Sequence, residues 1–230
     1  MAKCYQFTVA APAGLVSRLM LVEITVEFVA CVLIADFASG FFHWLEDAYG
    51  REDFPITGRL VTKPNILHHH NPRCFTRHSW WHSSWDLTCL SVLIVLGAWL
   101  LGQLSWQVWL FAVLGANANQ IHKWAHRTPQ ENGRLISFLQ QCRLVQTPRH
   151  HARHHTDPKN SHYCVLTDFL NPILDRLRLW EFLERVVLNL FGISRRIDTS
   201  LLPGALCPSA EQAKTQISNV HSHQKLMLET

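Results

Sequence analysis

Charge is scarce in this chain of 230 residues: Asp, Glu, Lys and Arg make up 17% of it, against roughly 25% in an ordinary soluble domain. No residue from Leu87 to His122 carries a formal charge. Glycine and proline number ten each, which excludes a collagen-like or low-complexity chain. A disordered chain is excluded as well, because 48% of the residues are hydrophobic and the net charge is only +4. That charge is too small to argue for a nucleic-acid partner. The seven cysteines (Cys4, Cys31, Cys74, Cys89, Cys142, Cys164 and Cys207) contain no Cys-x-x-Cys pair and no even framework. Neither a zinc ribbon nor a disulfide scaffold is expected, and a reducing compartment is the simplest reading. No cleavable signal of the usual form is expected: Lys3 is the only early cation, and Pro12 and Gly14 interrupt the apolar run.

What is abundant is histidine, 15 residues, and tryptophan, 9 residues. The first suggests metal, the second a membrane interface with Trp44, Trp80, Trp81 and Trp85 as anchors. Residues 21–42 are apolar apart from Glu23, Thr25, Glu27, Asp36 and Ser39. As a helix they rise about 33 Å, enough for a hydrocarbon core of about 30 Å. Residues 87–101 and 106–118 are two apolar arms around Gly102-Gln103-Leu104-Ser105, a helical hairpin that enters and returns on one side. Two buried helices of a soluble bundle would show the same periodicity, but the charge-free stretch favours lipid. Residues 169–191 carry apolar residues at helical spacing, with charged residues on much of the other face, as an amphipathic helix lying at an interface or on the domain.

The expected fold is therefore an all-α membrane protein with about three transmembrane helices and a cytoplasmic, His-rich helical cap. An N-terminal segment (1–20) precedes a membrane domain (21–198), and a loosely ordered tail (199–230) follows, with His221 and His223 incidental. With three spans, only Lys3 and Arg18 of the 21 Lys and Arg fall on one side and the other 19 on the other. Cytoplasmic loops hold the Lys/Arg excess, so the His-rich face is assigned to the cytoplasm. The compartment would be the endoplasmic reticulum in a eukaryote or the inner membrane in a bacterium.

Thirteen histidines lie between His43 and His162 and none in 83–121. His122-Lys123-Trp124-Ala125-His126 places two imidazoles one helical turn apart, on one face. His151-Ala152-Arg153-His154-His155 offers i, i+3 and i+4. Asp36 precedes His43 by two turns, as a carboxylate orienting a ligating imidazole could; helix packing is the plainer role. All-imidazole ligation suits Zn, Cu, Fe or Ni. A catalytic zinc takes three protein ligands, so eight or more converging histidines suggest two metals. Two irons at a membrane face suit O2 activation on a lipid chain. A zinc-buffering loop, or surface histidines near anionic headgroups, is the bland alternative.

Several stretches then resemble the Kua family of membrane lipid desaturases: Ala35-Asp36-Phe37-Ala38-Ser39-Gly40-Phe41-Phe42-His43-Trp44; Pro64 through His68-His69-His70-Asn71-Pro72; Thr76-Arg77-His78; Asn119-Gln120-Ile121-His122-Lys123-Trp124-Ala125-His126; His150-His151-Ala152-Arg153-His154-His155; Tyr163-Cys164; and Leu170-Asn171. The likeness covers about residues 30–190. Asn71 stands where the family's second loop usually has Asp, and His70 is an added histidine. Eukaryotic members have a further hydrophobic span at the front.

The resemblance implies an enzyme with two irons, O2 as co-substrate, and electrons from a cytochrome b5 or ferredoxin type partner. It implies a membrane phospholipid substrate and a C=C bond set beside the ether oxygen of an alkyl ether phospholipid. The alternative is an acyl-lipid (palmitate) desaturase, or a non-catalytic metal-binding or regulatory membrane protein. The implied ligands are His43, His68, His69, His78, His122, His126, His151, His154 and His155. Asp36 and His150 are ligands or supports of ligands. Arg149 and Arg153 are candidates for a phosphate headgroup, with a plain positive-inside role as the equal alternative. His70, His82 and His162 are expected not to be ligands.

Overall fold

The computed structural model describes residues 13–201. Most of the proposed N-terminal segment and of the C-terminal tail, with His221 and His223, lies outside the described residues. Those described are helical or irregular, with no strand among them. Helix α1 (Ala13–Tyr49) runs without a break through both the apolar stretch and His43. A π-helical turn (Gly58–Thr62) leads into α2 (Lys63–His70), where Pro64 sits in the first turn, a position that needs no amide proton. Helix α3 (Trp80–Leu100) starts two turns earlier than the apolar run, because Ser79 caps it by accepting from His82 N. Gly102, at φ +67°, turns the chain, and α4 (Trp106–Ala116) returns along α3 and packs on α1.

Of these, α3 is long and apolar enough to cross a membrane; α4 is apolar but shorter. On α1, Leu19, Met20, Leu21, Val22, Ile24, Val26, Phe28 and Val29 are all exposed, an apolar face far larger than a water-facing helix tolerates. Glu27 on that helix accepts from Gln107 Nε2 at 2.8 Å, so one of its carboxylates is paired across to α4.

The rest of the chain builds a cap at one end. It comprises α5 (Ala118–Ala125), α6 (Pro129–Gln141), α7 (Pro148–His151), α8 (Leu170–Arg176) and α9 (Leu179–Phe191). Asn117 separates α4 from α5. Lys123, fully buried, clamps the loop before α3 by donating to the carbonyls of His78 and Ser79 at 3.0 and 3.3 Å. The amphipathic stretch 169–191 is two helices, not one: Arg178 at φ +52° breaks it between α8 and α9.

The core forms around an extended segment, residues 163–167, that runs antiparallel along one face of α1. His43 Nδ1 meets the carbonyl of Tyr163 at 3.0 Å. Ser39 Oγ accepts from Val165 N at 3.2 Å. Asp36 accepts from Leu166 N at 2.9 Å and from Thr167 Oγ1 at 2.5 Å. Gly40 lies between them, and a Cβ there would stand 2.5 Å from Cys164 Sγ and 2.9 Å from its backbone nitrogen. Tyr163 and Cys164 join Trp44, Ala48, Leu174 and Trp180 in one apolar cluster. Val165 and Leu166 join Ala35, Ala118 and Ile121 in another. Trp44 is thus a core residue at 2% exposure rather than an interface anchor, while Trp80, Trp81 and Trp85 are exposed. No disulfide joins the described cysteines.

Candidate metal centre

Two groups of donor atoms meet at the cap end of α1. The first is His68, His122, His126, His151 and His155; the second is His43, Asp47, His69 and His154. Eight of the nine histidines expected as ligands are here, joined by Asp47. Helical spacing explains part of the division. His43 with Asp47 on α1, and His122 with His126 at the end of α5, are four residues apart and serve the same group. His68 and His69, neighbours on α2, point about 100° apart and give one imidazole to each group; His154 and His155, in the turns that follow α7, divide in the same way, and His155 joins His151. The two groups are therefore adjacent, with rings of His154 and His155 5.0 Å apart and of His43 and His122 5.4 Å apart.

In the first group, Nε2 of His126 lies 3.2 Å from that of His122, which lies 2.8 Å from that of His151, itself 3.1 Å from that of His155. A ring nitrogen either donates or accepts. Four nitrogens in a file of three contacts cannot all form good hydrogen bonds with one another. An ion resolves the conflict: with metal–nitrogen bonds of about 2.1 Å, two ligands at right angles stand about 3 Å apart. Both nitrogens of buried His68 lack any partner, and Phe75 packs against its ring at 5.3 Å.

The second group is held differently. Each imidazole uses Nδ1 on a fixed support and leaves Nε2 facing inward. His43 meets the Tyr163 carbonyl at 3.0 Å, His154 the Ser161 carbonyl at 2.9 Å, and His69 the Asp198 carboxylate at 2.7 Å. Such partners choose the tautomer and aim the ring. Asp47 Oδ1 accepts from Asn65 Nδ2 at 2.7 Å, and Oδ2, buried and without a hydrogen-bond donor, stands 3.4 Å from His154 Nε2 and 3.9 Å from His43 Nε2. Buried polar atoms without partners are rare in folded proteins. Several such atoms gather in these two groups, the imidazole nitrogens of His43, His68, His69 and His154 and the carboxylate oxygen of Asp47, the donors a first-row metal takes.

Burial, followed by repulsion from neighbouring imidazoles, holds His68, His122 and His151 well below the ordinary histidine range and His126 at about 3. Neutral imidazole is the form that binds metal. His69 is the exception. Burial pulls it down, but Asp47 and Asp198 outweigh that and push it up to about 9. Burial would raise Asp47, yet His69 and His43 hold it well below the usual carboxylate range.

The remaining expected site residues lie elsewhere. His78 is exposed, outside both groups, with its ring 4.5 Å from His82. Asp36 belongs to neither group and is spent on residues 166 and 167; seven helical residues span about 10.5 Å, too far for its carboxylate to reach the His43 ring. Buried His150 accepts from Asn171 Nδ2 at 3.2 Å, and Asn171 also brackets Cys164. Arg149 and Arg153 are exposed. Among the expected non-ligands, His70 meets Thr199 and His162 meets Asp175. Asp47, Asn65 and Asp198 escaped the sequence reading. Asp47 had a signal, the same four-residue spacing from His43 that marks His122 and His126. Asp198 had none, since it is 129 residues from its partner.

The described residues are all helical or irregular, one helix is long and apolar enough to cross a membrane, and two buried, adjacent groups of histidine and aspartate donors could each hold a metal ion. The lipid desaturase domain model matches residues 32–198, and the chain belongs to that family. It is 32% identical over 174 residues to plasmanylethanolamine desaturase of Myxococcus xanthus, covering 72% of this chain and 61% of that protein. It is 33% identical to mouse plasmanylethanolamine desaturase 1, covering 74% and 67%. It is also 31% identical to the chloroplastic fatty acid desaturase 4 of Arabidopsis thaliana, covering 71% and 51%. The chain thus spans about three-fifths to two-thirds of the plasmanylethanolamine desaturases it matches. No solved structure matches it.

Proposed function

We propose that the chain is an O2-dependent membrane desaturase that sets a C=C bond beside the ether oxygen of an alkyl ether phospholipid, giving a vinyl ether. The observation that supports it is the gathering of eight imidazoles and Asp47 into two adjacent groups. Each group would hold one iron: His68, His122, His126, His151 and His155 the first, and His43, Asp47, His69 and His154 the second. When bound, the irons supply oxygen activation and the removal of two hydrogens from neighbouring carbons, with electrons from a cytochrome b5 or ferredoxin type donor.

The protein's part is placement. Nδ1 hydrogen bonds to Tyr163, Ser161 and Asp198 hold the second group's rings. The tight cap around buried His68, His122, His151 and His154 keeps bulk water out. Helix α1, α3 and α4 form three spans, with the cap on the cytoplasmic side, so an alkyl chain enters from the bilayer at the metal level. Exposed Arg149 and Arg153 offer cations to the phosphate of the headgroup. His78 is a further ligand only if its loop moves inward.

The ether substrate follows the two plasmanylethanolamine desaturases; the chloroplastic relative supports the runner-up, an acyl-chain desaturase. The test is expression in cells lacking plasmalogens, fed an alkyl ether lipid. Acid-labile vinyl ether seen by mass spectrometry, and lost in His126→Ala and His155→Ala at unchanged protein level, is the expected result. A new double bond in a palmitoyl chain instead would favour the runner-up. Zinc in place of iron in the purified protein, with no product, would sink both.

A further inference from the structure

The metal-facing imidazoles run into a file of oxidisable rings. Centroids separate His154 from Tyr163 by 5.1 Å, Tyr163 from Trp180 by 5.1 Å, Trp180 from Trp44 by 6.0 Å, and Trp44 from Tyr49 by 5.5 Å. Tyr163, Trp180 and Trp44 are buried, and Tyr49 is partly exposed at the end of α1. Phe41 and Phe37 pack beside Trp44 and Trp180 at 5.6 and 6.5 Å, but the oxidisable rings themselves run without interruption from Tyr163 to Tyr49.

Aromatic packing alone would account for contact. It does not account for the proton chemistry. Trp44 Nε1 donates to Glu184 Oε1 at 3.3 Å, and that same oxygen accepts from Arg195 Nη1 at 2.6 Å. Trp180 Nε1 is buried with no partner. Tyr163 Oη accepts from Arg195 and donates to the Lys159 carbonyl, neither of which is a base. Trp44 is the one ring of the file whose N–H faces a carboxylate. An indole that loses an electron becomes a strong N–H acid, so an electron vacancy settles where the proton has somewhere to go.

We infer that Tyr163, Trp180 and Trp44 form a relief path that draws oxidising equivalents away from the metal centre when no lipid chain is in place. This rests on the oxygen-activating reading of that centre. A loaded and oxidised site would take one electron from Trp180, with the Tyr163 ring, whose hydroxyl faces no base, bridging the gap without itself being oxidised, and the vacancy would pass on to Trp44. Trp44 gives its Nε1 proton to Glu184, leaving a neutral tryptophanyl radical and a protonated carboxyl. A soluble thiolate reaching Tyr49 returns the electron and becomes a thiyl radical; Glu184 returns the proton. The file does not serve the incoming electrons of the desaturase cycle, because a mild reductant cannot place an electron on an indole or a phenol. Its benefit is to spare the histidine ligands, one way a protein excludes competing reactions at a reactive centre.

The experiment uses the full iron-loaded chain in ester-lipid nanodiscs with reductant and O2, without alkyl ether lipid. Freeze-quenched samples are read by electron paramagnetic resonance, and oxidised residues are mapped by peptide mass spectrometry. A tryptophan-type radical, with oxidation gathered at Trp44 and Tyr49, is expected. Trp180→Phe keeps a ring in place but interrupts the file; the radical should fall severalfold and oxidation should move to Tyr163 and the histidines of the second group. Trp44→Phe should remove the radical while the fold, read by circular dichroism, stays. Equal radical yield and equal damage pattern in wild type and Trp180→Phe would overturn the relief path alone. No O2 consumption by the loaded chain would overturn the desaturase reading, and the relief path with it.

Discussion

The carboxylate of Asp198 stands 2.7 Å from His69 Nδ1, and on the other side of the same ring Nε2 stands 3.2 Å from Asp47. A residue at the end of the family-matching region thus reaches back to fix an imidazole in α2. Ser200 steadies it by donating to Asp198 Oδ1 through both its backbone N–H and its hydroxyl, at 2.9 and 2.7 Å. Loss of such a support typically weakens metal binding by about 10- to 100-fold. Asp198→Ala is expected to show that loss for one of the two ions, with the helical signal unchanged, in metal titrations followed by mass spectrometry of the bound metal.

Asp47 separates the two groups experimentally. If each group holds one iron, as proposed, Asp47→Ala should leave the five-histidine group intact and cost the protein one of the two, since it strips a ligand from a small set. His126→Ala should act on the other ion. Elemental analysis of both variants and of the double variant checks this; identical losses in all three would mean that the groups are not separate.

His78→Ala tests the expected ligand that the fold leaves outside. His78 is exposed, with its ring against His82 and outside both groups, while its backbone carbonyl accepts from Lys123. Iron content should match wild type, and stability should change by no more than about 0.5 kcal/mol, as for other surface changes.

Asp36→Ala should destabilise the protein without changing the metal affinity of the molecules that remain folded. Removing the carboxylate strands Leu166 N–H and Thr167 Oγ1, and each unsatisfied buried group costs about 1–3 kcal/mol. Thermal unfolding in detergent reads the first effect and metal titration the second. A weakened metal affinity would instead make Asp36 part of the centre.

Gly40→Ala places a methyl against Cys164, whose backbone nitrogen would lie 2.9 Å away. Backbone cannot rotate aside as a side-chain tip can, so a cost of about 1–3 kcal/mol is expected, the usual range for overpacking. Gly40→Ala combined with Cys164→Ala should recover only part of it, because the nitrogen contact remains.

Local pattern was enough for much of this protein. Apolar runs without charge announced α3 and α4, since lipid and water sort side chains by solvation alone. Four-residue spacing made His122 and His126 legible as a pair, because one helical turn brings such residues to one face; His151 and His155 have the same spacing, but the helix ends at His151 and the turns after it bring them together. The same rule would have found Asp47 beside His43. For Asp36 the spacing showed a face shared with His43, but not that the carboxylate would meet Leu166 and Thr167 of the segment 163–167. Which imidazole joins which group was decided by how the helices meet: His68 and His69 are neighbours in the chain, yet their directions differ by about 100° and the packing of α1, α2, α5 and α7 sets what each one faces. Asp198 and Asn65 became supports in the same way. Sequence determines what a residue can donate or accept; contacts across 129 residues, as between His69 and Asp198, depend on a fold that closes the distance and excludes water, and only the tertiary structure states where that happens.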